Sequence, residues 1–136
     1  MSQENVETCL RSADAFNRRD VEAYLDELDP EVELHLSLFA MLGGSSTVFH
    51  GHEGAREYMR DLDETFAEFQ LAEISEIRDL GEQVLAFGRL QGRGLESEAE
   101  VESPVAYVIE LKDGRITRLE DFFDPSEALE AAGLSE

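Results

Sequence analysis

Hydrophobic and polar positions along the first third of the chain predict two helices and then a strand. Residues 3–18 carry apolar side chains at helical spacing, and residues 20–28 repeat the pattern over a shorter length. Asn17 can adopt the left-handed conformation that ends a helix, and Asp20 can cap the next one. Pro30 cannot continue that helix. From residue 31 to 38 apolar and polar positions alternate, as in a half-buried strand.

The rest of the chain predicts one more long helix, a set of extended segments and a short terminal helix. Residues 39–47 are apolar and then rich in Gly and Ser, a composition typical of a flap or mobile loop. The remaining predicted elements are a short strand at 48–49, a helix at about 53–66, extended segments at 69–79, 82–93, 98–112 and 115–123, and a helix at 128–132. Turn residues around Gly81 and Gly114 favour hairpins. Residues 1–136 are therefore predicted to form a single α+β domain with an antiparallel sheet.

The predicted strand at 98–112 is unusual because both of its faces become apolar. Val105, Tyr107, Ile109 and Leu111 occupy one face, while Ala106 and Val108 make the other face apolar too. A strand that is apolar on both sides needs cover on both sides. Helices can cover one face, and we expect a second copy of the chain to cover the outer face in a homodimer. The alternative is a chain end or loop folded over that face.

The charge balance excludes several kinds of partner. The chain has 11 Lys and Arg against 32 Asp and Glu, which gives a formal net charge of −21. Such a field repels nucleic-acid phosphates and anionic lipid head groups, so we expect neither nucleic-acid binding nor attachment to a membrane surface. With 42% hydrophobic residues the chain can still build a core.

The single cysteine, Cys9, falls on the apolar stripe of the first predicted helix, so we interpret it as a small core residue. No internal disulfide is possible. The polar, acidic N-terminus has no secretory pattern, and no apolar run approaches membrane-spanning length. The sequence thus predicts a soluble, cytoplasmic protein.

Short motifs spread over the chain resemble one superfamily when they are taken in order. They are residues 16–20, 30–35, 51–54, 106–111, 113–118 and 122–124. In order and spacing they resemble the SnoaL-like and ketosteroid-isomerase-like branch of the nuclear-transport-factor-2-like (NTF2-like) superfamily. The resemblance implies a cone-shaped fold, with three N-terminal helices on a curved antiparallel sheet, a short C-terminal helix and an internal pocket. Enzymes of this superfamily cyclise polyketides, shift steroid double bonds, open epoxides or dehydrate small molecules, but the fold alone does not name a reaction.

Asp121 is the first candidate for catalysis. It lies on the last predicted strand beside Phe122 and Phe123, and SnoaL-like enzymes have an acid–base aspartate at what looks like this position. A carboxylate among aromatic rings is poorly solvated, so its pKa is expected to rise and it can exchange a proton near neutral pH. The alternative is that Asp121 forms an ion pair with Arg118 or Arg89.

Histidines and tyrosines supply the other candidate polar groups. His35, at the end of the first predicted strand, can orient or share a proton with such an acid, or it can simply lie on the polar face. Among Tyr24, Tyr58 and Tyr107, Tyr107 is the best-placed donor to a developing oxyanion, and a core role is the alternative for each. His50 and His52 flank a turn glycine without a third ligand, so no metal and no cofactor are predicted.

The predicted pocket is apolar with few polar groups, which is usual for a small hydrophobic ligand. Its predicted lining is Tyr24, Phe39, Met59, Leu62, Phe66, Phe87, Tyr107, Leu119 and Asp121, and Arg89 either lies at its mouth or pairs with a glutamate. Our hypothesis is a cofactor-free enzyme that isomerises or cyclises a hydrophobic, polyketide- or steroid-like carbonyl compound by acid–base chemistry. The alternatives are a non-catalytic binding protein for a small hydrophobic ligand and a dimeric interaction module.

Overall fold

The computed structural model describes residues 2–37, 47–95 and 100–134. In it, a residue with a left-handed backbone conformation forms the corner between the first two helices. Helix α1 (Ser2–Arg18) is followed by Arg19 at φ 58°, and α2 spans Val21–Asp26. The Arg19 and Asp20 N–H groups donate to the carbonyls of Phe16 and Ala15, both at 3.0 Å. These two bonds satisfy carbonyls that the helix end would otherwise leave free. The expectation that Asn17 is the left-handed residue is therefore wrong.

The cap predicted at Asp20 is confirmed, because its carboxylate accepts from the Ala23 N–H at 3.2 Å. Asn17 has a different task. Its side-chain amide donates to the Leu71 carbonyl and accepts from the Leu71 N–H, both at 2.9 Å. The side chain thus pairs with an edge strand as a neighbouring strand would, and it ties α1 to the sheet.

The remaining elements follow the predicted order with shifted ends. They are β1 (Leu28–His35), β2 (Val48–His50), α3 (Gly51–Thr65), β3 (Phe66–Asp79), β4 (Gln83–Gly94), β5 (Glu100–Lys112), β6 (Arg115–Phe122) and α4 (Pro125–Ala131). Leu28 opens β1 instead of ending α2, and Pro30 fits within the strand because the pairing with β6 is irregular between Leu28 and Glu33. Asp124 caps α4 by accepting from the Ser126 N–H at 2.9 Å.

The described strands form one sheet in the order β2-β1-β6-β5-β4-β3. Every neighbouring pair is antiparallel except β1 and β6, which run parallel. This arrangement sets Leu34 of β1 beside Leu119 of β6, and Leu119 in turn lies opposite Ile109 of β5. Helices α1, α2 and α3 pack on this inner face, where the main core lies.

The outer face of the sheet carries a second, smaller core. Leu85, Ala106 and Val108 are buried there together with Ala128 and Leu129 of α4. The C-terminal helix therefore covers the centre of the outer face, which is the alternative raised above for a strand apolar on both sides. Homodimerisation through the rest of this face stays a prediction.

Strand β3 is irregular where it passes Gly88 of β4. The register shifts between Leu71 and Glu73 and again between Ile74 and Glu76. A Cβ atom built on Gly88 would lie 2.1 Å from the Glu73 carbonyl oxygen. Only glycine leaves room for the backbone at this point, and β3 can therefore curve over the cavity described next.

Candidate functional site

A small cavity lies between the inner face of the sheet and the first three helices. Its volume is about 60 Å³. The helices contribute Cys9, Ser12, Ala13, Phe16, Tyr24 and Tyr58. Strands β3 to β6 and the residue after β1 contribute Leu36, Leu71, Ile74, Ile77, Ala86, Tyr107, Ile109 and Leu119. The lining is therefore mostly apolar, and three phenol groups are its largest polar features.

The three tyrosines come from three different elements, and all are strongly buried or half-buried. Burial raises the pKa of Tyr24, Tyr58 and Tyr107 above the ordinary phenol range. The charge of Asp121 raises the pKa of Tyr58 and Tyr107 further, whereas Arg19 acts in the opposite direction on Tyr58. These phenols stay protonated at neutral pH, so each can donate a hydrogen bond to a ligand oxygen.

Asp121 lies next to a residue that lines this cavity. Its Cα is paired with that of Tyr107 across the β5–β6 ladder, so both side chains are on the inner face. Asp121 is only 6% exposed, and one carboxylate oxygen accepts from the Ser37 N–H at 3.0 Å. Asp121 is not itself among the lining residues, but its charge acts on two of the lining phenols. A buried acid beside protonated phenols is an arrangement suited to proton transfer.

Cys9 and Ser12 are the other polar groups of the lining. Burial raises the pKa of the Cys9 thiol to about 12, so the thiol is protonated and unreactive at neutral pH. This agrees with its interpretation as a small core residue. The Ser12 hydroxyl donates to the Cys9 carbonyl at 2.8 Å within α1. Neither side chain provides a nucleophile.

The sequence of the chain matches one family over most of its length. The family of the SnoaL-like domain matches residues 10–119. The chain belongs to the SnoaL-like domain family. Comparison with curated proteins gives no match.

Solved structures confirm the NTF2-like fold of this SnoaL-like protein. An NTF2-like protein of unknown function from Burkholderia pseudomallei has a TM-score of 0.78 and 26% identity, over 93% of this chain and 95% of that one. TerC, co-crystallised with polyporic acid, has a TM-score of 0.77 and 26% identity over 93% and 96% of the two chains. A candidate polyketide cyclase from Xanthomonas campestris has a TM-score of 0.73 and 21% identity over 92% and 93%.

Two of the predicted pocket residues lie on the wrong side of the sheet. Phe87 packs with the outer cluster beneath α4. Arg89 lies in the same outward row, and its guanidinium pairs with Glu102 at 2.9 Å. Because Arg89 lies on the other face of the sheet, its guanidinium neither neutralises Asp121 nor contacts a ligand in the cavity. The pairing with a glutamate, raised as the alternative, is the one observed.

His35 is also separated from the cavity. It follows Leu34, which is buried on the inner face, so its own side chain lies on the outer face with Glu120 as its β6 neighbour. Its Nε2 lies 3.0 Å from a carboxylate oxygen of Glu33. His35 therefore does not share a proton with Asp121, and the alternative polar-face position is correct.

The other predictions divide between the cavity and the core behind it. Tyr24, Tyr107 and Leu119 line the cavity as predicted. Met59, Leu62 and Phe66 are buried in the main core but are not among the lining residues. Phe39 lies outside the described residues. The roles assigned to these side chains stay predictions.

Tyr58 is the main lining residue that the pocket prediction missed. It precedes Met59 in α3, and its ring lies 5.9 Å from that of Phe16 in a stacked arrangement. The signal available was its place on the apolar face of the helix, which it shares with Met59 and Leu62.

Within residues 2–37, 47–95 and 100–134, no three His, Cys, Asp or Glu side chains come together as a metal site. The helices of these same ranges include none long and apolar enough to cross a membrane.

Proposed function

We propose that this protein is a cofactor-free enzyme that isomerises or cyclises a small hydrophobic carbonyl compound by acid–base chemistry. The observation that carries the proposal is the placement of buried Asp121 across the β5–β6 ladder from Tyr107, which lines an apolar cavity. An interaction module would not need such a cavity. The membership of the SnoaL-like family and the likeness to TerC, which was co-crystallised with an organic molecule, also support a small-molecule site.

The proposed chemistry gives each group one task. The Asp121 carboxylate removes a proton from the carbon next to the substrate carbonyl, and the electron pair moves onto the carbonyl oxygen to give an enolate. Tyr107 or Tyr58 donates a hydrogen bond to that oxygen as its negative charge develops. In a substrate whose next two carbons are joined by a double bond, the enolate is a dienolate. Its carbonyl re-forms, the double bond moves into conjugation, and the Asp121 carboxylic acid returns the proton to the far carbon of the former double bond, which completes an isomerisation. The Ser37 N–H holds the carboxylate in place meanwhile.

The cavity narrows the proposal to small substrates. Pockets for drug-sized ligands usually measure roughly 300–1,000 Å³. The space between the described lining residues is about 60 Å³, which is room for a few non-hydrogen atoms. We therefore propose a compact ketone or enone rather than the polyketide- or steroid-like molecule that the sequence led us to expect.

Deuterium exchange tests the proposal without knowledge of the natural substrate. Acetone and cyclopentanone are incubated with the protein in D₂O, and loss of the protons next to the carbonyl is followed by NMR. We expect exchange faster than in buffer alone, and a loss of about 10²–10⁴-fold of that acceleration in Asp121→Asn. Glu120→Gln is the matched control, because it removes one carboxylate from the same strand but on the outer face.

A second candidate is a non-catalytic binding protein for a small hydrophobic ligand. It is favoured by the fact that Asp121 is held by a backbone N–H and is not a lining residue. If the ketones shift the NMR signals of the cavity residues but gain no exchange over buffer, the enzyme proposal is wrong and the binding protein is supported.

A further inference from the structure

One residue of the cavity lining is much smaller than its neighbours in the sheet. Ala86 of β4 is paired with Tyr107 of β5 on one side and with Ile77 of β3 on the other. All three side chains line the cavity. Side chains that lie directly opposite each other in neighbouring strands have their Cβ atoms about 4.5–5.5 Å apart. The alanine therefore leaves a gap between two bulky groups.

Ala86 is buried, but its methyl group does not belong to the packed cores. The residue is only 7% exposed. Among the described residues, it is a member of neither the main core on the inner face nor the smaller core beneath α4. Protein cores are close-packed, so a buried methyl group outside both of them faces open space. The register and the burial thus agree that Ala86 borders the empty part of the cavity.

Helix α1 adds small side chains from the opposite wall of the cavity. It packs against β4 and supplies Cys9, Ser12 and Ala13 to the lining. Ser12 and Ala13 follow Cys9 by three and four residues, so each lies on the same face of the helix as Cys9. The space between these walls is about 60 Å³. In a space of this size the gain or loss of one or two carbon atoms decides which ligands fit.

We propose that Ala86 and Ile77 determine the size of the ligand that the cavity accepts. Ala86 provides the space for a compact molecule, and Ile77, its partner across the β3–β4 ladder, limits that space. A ligand of the size of acetone is accepted and a six-membered ring is excluded. The inference rests on the proposed function only in that both concern the same cavity, and it adds the residues that select the substrate by size.

Two ketones of different size test the limit on the unmodified protein. Acetone and cyclohexanone are titrated, and the ring signals of Tyr24, Tyr58 and Tyr107, which line the cavity, are followed by ¹H–¹³C NMR. We expect acetone to cause a saturable shift of these signals and cyclohexanone to cause none. A saturable shift with cyclohexanone overturns the proposal, and so does the absence of a shift with acetone.

Three variants change the space in opposite directions. Ala86→Val adds two carbon atoms and should weaken acetone binding at least about tenfold. Ile77→Ala removes three carbon atoms and should let cyclohexanone bind. The double variant should bind acetone again, because the space lost at Ala86 is regained at its partner. This recovery separates filling of the cavity from damage to the fold. If Ala86→Val does not fold, Ile77→Ala decides, since a failure to bind cyclohexanone overturns the proposal.

Ala72→Val is the matched control. It makes the same substitution at an exposed position of β3 that does not line the cavity, and it should leave acetone binding unchanged. If folded Ala86→Val binds acetone as tightly as Ala72→Val does, Ala86 does not determine ligand size and the proposal is wrong.

Failure of the two proposals can be told apart. Acetone binding that follows the size of the cavity, without deuterium exchange, would contradict the proposed enzyme and support this inference. Exchange that is equally fast in Ala86→Val and in the unmodified protein would do the opposite.

Discussion

Replacement of Asn17 tests whether the cavity is held together by one side chain. Asn17 of α1 makes two hydrogen bonds with the backbone of Leu71 in β3, both at 2.9 Å. Helix α1 and strand β3 each supply residues to the cavity wall. We predict that Asn17→Ala loosens this contact and destabilises the whole domain.

The expected magnitude follows from the two bonds. A typical intramolecular hydrogen bond contributes about 0.5–1.5 kcal/mol net, so two bonds set a range of about 1–3 kcal/mol. Asn17 is exposed, and water can replace part of what is lost. We therefore expect a loss of about 1.5 kcal/mol in the free energy of unfolding, or roughly 5 °C in Tm for a domain of this size.

Urea unfolding followed by circular dichroism measures this loss. Ser75→Ala is the matched control, because Ser75 is in the same edge strand and makes a single side-chain bond, at 3.2 Å to the Phe87 carbonyl. It should cost less than about 1 kcal/mol. If Asn17→Ala lowers the free energy of unfolding by no more than Ser75→Ala does, water replaces both hydrogen bonds of Asn17 to the Leu71 backbone without loss, and the prediction is wrong.

Two further predictions concern the sheet. Gly88→Ala places a Cβ 2.1 Å from the Glu73 carbonyl oxygen, so β3 must move. The free energy of unfolding should therefore fall by about 3 kcal/mol or more. A fall of less than about 1 kcal/mol, measured by thermal unfolding, would show that β3 can shift at little cost. His35 lowers the pKa of Glu33 by a hydrogen bond. Loss of this hydrogen bond in His35→Ala should therefore raise the Glu33 pKa in an NMR titration, and an unchanged pKa would contradict the prediction. A lowered carboxyl pKa stabilises the fold at pH values above the ordinary glutamate range, and this contribution is lost as the pH falls through the lowered value.

Much of the fold could be predicted because local signals and global structure agree. Asp113 and Gly114 adopt φ values of 54° and 77°, as a two-residue hairpin turn requires, and they join β5 to β6. Asp124 accepts the hydrogen bond expected of a cap. These features depend on a few neighbouring residues, so the sequence contains all the information needed.

The candidate site was harder to predict, because alternation does not tell which face of a sheet is inside. Leu85, Phe87 and Arg89 do share one face of β4, as their spacing indicates. Both faces are apolar, since α4 buries Leu85 on the outer side. Only the long-range packing of α4 decides that this row is turned away from the cavity.

The same limit applies within α3. Tyr58 and Met59 are adjacent on a broad apolar face, and both are buried. Helical spacing identifies that face but does not show which of the two borders the cavity. The packing of the other helices and of the sheet against α3 decides this, and such long-range packing has no simple sequence signal.

The parallel pairing of β1 with β6 has a consequence for how the protein acquires its site. Ser37 and Asp121, joined by a hydrogen bond, are 84 residues apart in the sequence. Contacts of such long range form late and slow folding, because a large loop must close before they contribute. During synthesis all three tyrosines emerge before Asp121, so a chain that lacks β6 contains the phenols without their acid. The proposed site for proton transfer would therefore be complete only after β6 has joined the sheet.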